Sequence, residues 1–324
     1  MPRILLSASF PESLLARQTP GNQGVWEDHQ YVFQPESAAV DAWTVYDNLR
    51  QPLEQVCPAG NTLLITGEPA SVRNYRPHYT HQFARLWTAQ TGIRHASLTH
   101  RNECQHRHYA MRASSAHGQP LGFDQLTALA APDKPKLISV ICSNKALTPD
   151  QRQRLAFVEQ LRQHFGSAID FYGRGFTDVE DKADAIWPYR YHIVLENDHT
   201  ECFMTEKLSD AFLGWSYPIY FGGNEAHHRF PLGSFTAIDI YQPAQALQVI
   251  RNVLSDDTYE QSLPLIAAAR HAVLYKNNLF AMLTNFWRDH LRPEQPRSVR
   301  LLPKSHRTGL IVSQLKHTLL RRAA

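Results

Sequence analysis

The sequence predicts an α/β fold in which two domains are each built on a parallel sheet. The chain has 324 residues, more than most single-core domains hold, and 43% of them are hydrophobic against 19% charged. Apolar runs of strand length occur in both halves, at 61–66 and 137–142. Residues 191–221 read strand, helix, strand, and such a βαβ unit requires parallel strands.

In the first half, apolar runs predict strands at 3–9, 31–33 and 61–66, whereas 41–49 has mixed periodicity and stays unassigned. The run at 61–66 ends at Gly67-Glu68-Pro69, so a carboxylate lies at the carboxyl end of a strand, with a turn after it. A catalytic acid or base would be placed there. The alternative is a turn glutamate in solvent.

Histidines are frequent between residues 74 and 108, which suggests zinc at first sight. No HExxH occurs, and CQHRH at 104–108 has no second ligand pair at a zinc spacing, so a polar surface is predicted instead. The histidines concerned are His78, His81, His95, His100, His106 and His108.

A small, polar, proline-bearing stretch at 113–133 predicts the boundary between the domains. The predicted units are 1–132, 133–300 and a basic amphipathic tail at 301–324. In the second unit the pattern predicts strands at 137–142, 168–172, 191–195, 217–221 and 237–241, and helices from Pro149, at 243–253 and at 259–286.

The helix that begins at Pro149 carries Arg152 and Arg154 near its start. Arginines there oppose the helix dipole, which makes them candidate ligands for a diphosphate. The alternative is a solvated face of a helix rich in glutamine and arginine. The GRG of 173–175 lacks the third glycine of a dinucleotide fingerprint, so a redox enzyme is not indicated.

The βαβ unit gathers polar residues where its first strand ends. Thr205 predicts the helix N-cap, with Leu208, Ala211, Phe212 and Trp215 as an apolar face. Ligands of parallel sheets bind beyond the carboxyl ends of the strands and close to helix N-termini. The residues predicted to lie in that crevice are Glu196, Asn197, Glu206 and Lys207.

Charge and hydropathy exclude several classes of function. The net charge of +3 gives no support for general nucleic-acid binding, and no run of about 18 apolar residues predicts a transmembrane helix. The N-terminus lacks the pattern of a secretion signal, and scattered cysteines without CxxC spacing predict free thiols in a reducing compartment. The basic amphipathic pattern at 306–322 fits either peripheral contact with the inner membrane surface or docking across the two domains.

These segments together resemble family 10 glycosyltransferases, the α-1,3/4-fucosyltransferases. The resemblance rests on YHIVLEN-x7-TEKLSDAF at 191–212, PIYFGG at 218–223, FPLGSF at 230–235, DFYGRG at 170–175, and SN at 143–144 with a downstream arginine. It implies a GT-B fold, in which two Rossmann-like domains face a central cleft and a C-terminal helix crosses back. It also implies an inverting transfer of L-fucose from GDP-fucose to a hydroxyl of an N-acetylglucosamine- or glucose-containing glycan, in α-1,3/4 linkage.

The resemblance assigns roles to particular residues. Glu68 corresponds to the general base, and Arg154 or its neighbour Arg152, together with Lys207, stabilises the GDP leaving group. Glu206 and Asn197 hold donor sugar and ribose groups, while Glu196 binds hydroxyls or orders the loop. The other expected donor-binding residues are Asn144, Arg174, Phe203 and Thr205. Asp-x-Asp is missing from the sequence, which agrees with leaving-group stabilisation by cations and no obligatory metal.

Two alternatives accompany this interpretation. Phe203 stands where many members have a tyrosine that could contact the donor, so a second hypothesis keeps the fold with another nucleotide-sugar donor. A third, motivated by the faint match of the first domain, is a non-catalytic glycan- or nucleotide-binding module. The expected partners are a GDP-sugar and an oligosaccharide or lipopolysaccharide acceptor, in the bacterial cytoplasm or at its membrane surface.

Overall fold

In the computed structural model, which describes residues 1–100, 107–256 and 258–305, the chain forms two mainly parallel sheets. The strands are β1 Arg3–Ala8, β2 Val25–Trp26, β3 His29–Val32, β4 Ala42–Tyr46, β5 Leu53–Cys57, β6 Thr62–Ile65, β7 Arg85–Thr88, β8 Leu98–His100, β9 Lys136–Ile141, β10 Ile169–Tyr172, β11 Tyr189–Leu195, β12 Tyr217–Phe221, β13 Thr236–Ala237 and β14 Arg297–Leu301. The helices are α1 Ser13–Ala16, α2 Pro77–Thr80, α3 Phe123–Ala128, α4 Pro149–Phe165, α5 Lys182–Ile186, α6 Glu206–Leu213, α7 Glu225–Arg229, α8 Pro243–Ser255, α9 Tyr259–His271 and α10 Leu279–His290.

The first sheet has the strand order β2-β3-β1-β4-β6-β7-β8, and all pairings except β2 with β3 are parallel. Successive residues of a strand face opposite sides, so Leu5 enters one apolar cluster while Ile4 and Leu6 enter the other. Both faces are therefore covered, as a parallel sheet requires. The unassigned stretch at 41–49 is β4, which is buried along its whole length and therefore has no alternation to detect.

The second sheet has the order β10-β9-β11-β12-β13 and is parallel throughout. The predicted βαβ unit is confirmed as β11, α6 and β12, and Thr205 is the N-cap of α6. Gly223 lets the 197–205 loop pack directly behind β12, because a Cβ there would lie 2.4 Å from the carbonyl oxygen of Thr200. The carboxyl ends of β9 and β11 face the first sheet across a cleft, so the predicted GT-B arrangement is confirmed.

A buried connecting segment, residues 107–112, joins the two halves, and charged side chains from both of them satisfy its backbone. The Arg17 guanidinium donates to the carbonyl oxygens of 107, 109, 110 and 121 at 2.8–3.0 Å. The carboxylates of Asp181 and Asp210 accept from the amides of 108–112 at 2.6–3.2 Å. A buried irregular segment needs such partners, because unpaired backbone groups are costly to bury.

The helix that crosses back is α10, which packs against the first sheet. The Trp287 indole donates to the Thr44 hydroxyl at 2.9 Å, and the Tyr31 hydroxyl lies 2.8 Å from that of Thr284. After α10 the chain reaches β14, which pairs antiparallel with β5, and Leu301 is buried in the apolar cluster of the first half. Residues 306–324, where the amphipathic tail pattern falls, lie outside the described residues.

Three predicted elements differ from the structure. Helix α6 ends at Leu213, so Trp215 is not on its apolar face; it adopts φ +58° after Gly214, where the chain turns back into β12. The strand predicted at 237–241 is limited to β13, because a turn closed by the Gln242 amide and the Asp239 carbonyl follows it. The helix predicted at 259–286 is divided into α9, a π-helical turn at Ala272–Lys276, and α10, whose N-cap is Asn278.

Cys57, Cys142 and Cys202 are free thiols in the part of the chain that the structure covers, as predicted. Within those same ranges, no helix has both the length and the apolar character that crossing a bilayer would demand.

We expect the hydrogen bond between Trp287 and Thr44 to hold α10 on the first sheet. Replacing Trp287 with Phe leaves a buried threonine hydroxyl without its donor, and Thr44→Val leaves a buried indole N–H without its acceptor, so each change should cost about 1–3 kcal/mol. In a double-mutant cycle by thermal or urea unfolding, the two changes should be non-additive. Asn285→Ala, on the exposed face of α10, is the control. Additive effects would contradict a direct bond.

Candidate active site

A cavity of about 230 Å³ lies in the cleft at the carboxyl ends of β9 and β11. It brings together five of the predicted site residues, Glu68, Arg154, Asn197, Glu206 and Lys207, and is called the donor cavity below because the resemblance predicts donor-binding residues there. A second cavity of about 270 Å³ shares all of these except Arg154 and is also lined by Phe10, Tyr46 and Asp47. It is called the acceptor cavity below because the resemblance predicts that the first half binds the acceptor. Glu68, Asn197, Glu206 and Lys207 therefore line both cavities.

Glu68 follows β6 in a turn whose end docks on the second half. The Ser71 hydroxyl donates to the Asp198 carboxylate at 2.6 Å, and Asp198 follows directly on Asn197. The half-buried Glu68 carboxylate has no hydrogen-bond or ion-pair partner among the residues described here. Burial raises its pKa, as does Asp47, while Arg73 and Lys207 act in the opposite direction. The side chain therefore presents an unoccupied proton acceptor to both cavities.

Arg154 is 3% exposed and reaches the cavity from α4. One guanidinium nitrogen donates to the Asn197 side-chain oxygen, and another lies 3.4–3.5 Å from the oxygens of Ser143. Its Nε has no acceptor within the described ranges. A buried cation without a carboxylate partner suits the binding of an anion.

Lys207 is held at the start of α6 by Glu196, which is 0% exposed. Its ammonium donates to Glu196 Oε2 at 2.9 Å and to the Thr205 hydroxyl at 2.8 Å. Glu196 also accepts from the backbone N–H of Thr205 at 2.7 Å. The carboxylate thus orders the loop and aims Lys207, and an ammonium group has a third N–H for a ligand.

Lys182, which the sequence analysis missed, forms the second ion-pair group of the site. Its ammonium lies 2.8 Å from Glu206 Oε1 and 2.7 Å from Asp210 Oδ2, and His108 lies 3.3 Å from Glu206. Burial disfavours the charged carboxylate of Glu206, but Lys182, Lys207 and His108 outweigh it and hold the pKa of Glu206 well below its usual value. Lys182 is the first residue of the five-residue helix α5, which the sequence pattern did not predict. A basic residue at a helix N-terminus opposes the helix dipole, so prediction of this helix would have identified Lys182 by the same reasoning as Arg152 and Arg154.

His108, Glu206 and Asp210 lie within 4.8 Å of one another, a grouping that resembles a metal site. The Lys182 ammonium already takes the cation position between the two carboxylates. A metal would have to displace it, so the arrangement supplies positive charge from the chain itself. That no metal is required stays a prediction.

Several predicted residues lie away from the donor cavity. Arg152 is exposed and donates to the carbonyls of Ala146 and Leu147. Asn144 and Arg174 are exposed and are linked through their backbones at 2.9 Å. Phe203 is 2% exposed and lines the acceptor cavity with Thr205. Besides Lys182, the residues that the prediction missed include Ser143, Lys145 and Gln151, which line the donor cavity.

Comparison with known proteins agrees with this architecture. The family model described as "Glycosyltransferase family 10 (fucosyltransferase) C-term" matches residues 131–262. A crystal structure of an alpha1,3-fucosyltransferase with GDP-fucose is similar at a TM-score of 0.53 and 15% identity, over 90% of this chain and 91% of that one. A further alpha1,3-fucosyltransferase structure gives 0.51 and 16% over the same shares. At these identities the two structures show a shared fold.

The comparison with curated proteins gave no match.

We expect Lys182→Met to destabilise the protein by about 3–5 kcal/mol at neutral pH, because it leaves Glu206 and Asp210 buried with one cation fewer. The pKa of Glu206 should then rise, because Lys182 is the largest of the charges that hold it down, so the variant should regain part of that stability as the pH falls from 8 to 5. In the wild type the depressed pKa of Glu206 has the opposite consequence. The stability that ionised Glu206 adds to the folded protein is present above the ordinary carboxyl pKa, and it is lost as the pH falls through the lower pKa of the folded state.

Urea unfolding at several pH values measures both effects. Lys136→Met is the matched control, since Lys136 pairs with Asp170 at the surface, where such a pair is worth about 0–1 kcal/mol. Equal effects of the two variants would show that Lys182 does not neutralise this site.

Proposed function

Because residues 131–262 match the family model of the glycosyltransferase family 10 C-terminal domain, we propose that this protein is an inverting transferase that moves L-fucose from GDP-fucose to a hydroxyl of a glycan. The observation that carries the proposal is the position of Glu68. This carboxylate of the first half lines the same cavity as Arg154 and Lys207 of the second. A base and the cations for a leaving group are thereby brought to one place.

The donor would bind in the donor cavity, with its diphosphate toward the cations. The Arg154 guanidinium lines the cavity and has no carboxylate partner among the residues that the structure describes, and Lys207 is aimed by Glu196. Lys145, exposed at the same cavity, adds a third positive charge to its lining. Charge-assisted hydrogen bonds of this kind are strongest where the phosphoryl oxygens gain negative charge as GDP leaves.

The transfer itself is a single displacement. The acceptor oxygen forms a bond to C1 of fucose while the bond from C1 to the β-phosphate oxygen breaks, and its electron pair leaves with GDP. Glu68 takes the proton of the acceptor hydroxyl. Burial raises the pKa of Glu68 above the ordinary value of a glutamate, which strengthens the carboxylate as a base.

The acceptor would enter the acceptor cavity. Phe10 and Tyr46, which pack edge to face at 5.6 Å, supply apolar ring surface, and Ser9 and Asn197 supply polar groups. A sugar ring has both kinds of surface, which supports an oligosaccharide with an N-acetylglucosamine or glucose unit. We extend the proposal to an α-1,3 or α-1,4 linkage, a lipopolysaccharide-type acceptor, and action in the cytoplasm or at the cytoplasmic membrane surface.

The decisive test of the reaction is release of GDP from GDP-fucose in the presence of lactosamine-type acceptors, with other nucleotide sugars run in parallel. The parallel donors test the hypothesis of another nucleotide sugar, which arose because Phe203 stands where many members of the resembled family have a tyrosine. Release of the nucleotide from none of the donors, together with binding of one of them, would favour a binding module instead.

Glu68→Gln should lower kcat by about 10²- to 10⁴-fold, because the amide cannot take the acceptor proton. Its affinity for GDP should stay the same or increase, since a negative charge has been removed from the cavity that receives a diphosphate. Steady-state kinetics and calorimetric titration with GDP separate the two effects. Glu159→Gln, on the exposed face of α4, is the control. Full turnover by Glu68→Gln would rule out this base.

Arg154→Gln should weaken GDP binding by about 10- to 100-fold, the range for loss of a hydrogen bond to a charged group. Arg152→Gln is a matched comparison on the same helix, and we expect a change below about twofold because Arg152 is exposed and bonded to backbone carbonyls. Calorimetric titration of both variants with GDP decides between the two arginines. A larger loss for Arg152 would reverse the assignment.

A further inference from the structure

The hydroxyl of Tyr75 lies beneath the turn that carries Glu68. The backbone N–H groups of Gly67 and Glu68 both donate to it, at 3.1 and 3.2 Å. The same hydroxyl donates its proton to Asp47 Oδ1 in a short hydrogen bond. Tyr75 is 2% exposed, so water does not readily replace these contacts.

Asp47 is itself fixed in place at the end of β4, the strand next to β6. Its backbone has φ +61°, which aspartate tolerates better than most residues, and its N–H donates to the carbonyl of Ile65 at 2.7 Å. Its Oδ2 accepts from Arg73 at 2.9 Å and from Lys304 at 2.8 Å. Lys304 follows β14 and also lies 4.9 Å over the ring of Tyr75. The carboxylate is therefore held from the turn after Glu68 and from the C-terminal segment.

We propose that Tyr75 and Asp47 are positioning residues for the general base. The Tyr75 hydroxyl holds the backbone of the turn that carries Glu68, and the Asp47 carboxylate holds that hydroxyl in place. The proposal rests on the proposed function, in which Glu68 takes the acceptor proton, and adds to it two residues that need not touch the substrate. Misplacement of a base by about 1 Å can cost about 100-fold in rate, so fixing the turn has a catalytic consequence.

Asp47 has a second, electrostatic effect on the base. The charged groups that face Glu68 are Arg73, Asp47, Lys207 and Glu206, with Lys304 behind Asp47. Asp47 raises the pKa of Glu68, and without its charge the lowering effects of Arg73 and Lys304 on that pKa would be opposed only by burial and Glu206. Asp47→Asn should therefore lower the pKa of Glu68, whereas Lys304→Gln should raise it.

The test is the pH dependence of kcat and of the donor KM in wild type, Tyr75→Phe, Asp47→Asn and Lys304→Gln. Tyr75→Phe should lower kcat by about tenfold or more with the donor KM within about twofold. The acid limb, where Glu68 becomes protonated, should move to lower pH in Asp47→Asn and to higher pH in Lys304→Gln. Tyr79→Phe is the matched control, because the Tyr79 hydroxyl donates to the backbone carbonyl of Asp47 and not to the Glu68 turn.

A kcat of Tyr75→Phe equal to that of Tyr79→Phe, or an acid limb that does not move in either charge variant, would overturn the proposal. If Asp47→Asn fails to fold, Lys304→Gln decides the charge effect. If wild-type protein transfers no fucose, the proposed function fails. The inference is then decided by infrared titration of the Glu68 carboxylate, identified as the difference from Glu68→Gln, whose pKa should show the same opposite shifts.

Discussion

The rest of the site depends on the contacts that the buried carboxylate of Asp210 makes. It accepts from the backbone of the connecting segment 107–112 and from the ammonium of Lys182, so it fixes both a link between the domains and a cation that lines the donor cavity. Lys182 then holds Glu206, and the connecting segment places His108 beside it. Because removing one member of such a buried group leaves an uncompensated charge, the geometry of the cleft and the stability of the protein are coupled.

The cleft combines residues that come from the ends of parallel strands in two different sheets. Glu68 follows β6, Asp47 follows β4, and Glu196 and Asn197 follow β11. Helix α10 and strand β14 return the chain to the first half, so the relative position of the two sheets is set by packing and hydrogen bonds at several places. The Glu68 carboxylate and the cations Arg154 and Lys207 can face one cavity only if that position is fixed, since each sheet supplies one part.

The fold was predictable because local signals agreed with the tertiary structure. The apolar runs at 61–66, 137–142 and 191–195 correspond to β6, β9 and β11, and Thr205 caps α6. The departures occur where tertiary contacts override the pattern. Trp215 continues the helical spacing, yet Gly214 ends the helix, and the ring instead packs over the Arg270 guanidinium at 4.9 Å while its N–H donates to Leu129. A fully buried strand such as β4 has no alternation and gave no periodic signal.

For the site, the sequence by itself determined which chemical groups follow which strands: Glu68 after β6, and Glu196, Asn197, Glu206 and Lys207 around the start of α6. Only the tertiary structure decided which of these groups are buried, which face the cleft and which residues they pair with. Glu196 is buried beneath Lys207, Arg154 turns inward while Arg152 faces solvent, and Lys182, Tyr75 and Asp47 join from distant segments. The reason is physical: strand ends are set by local pattern, whereas the burial and pairing of a charge depend on side chains far away in the sequence, whose positions no local pattern encodes.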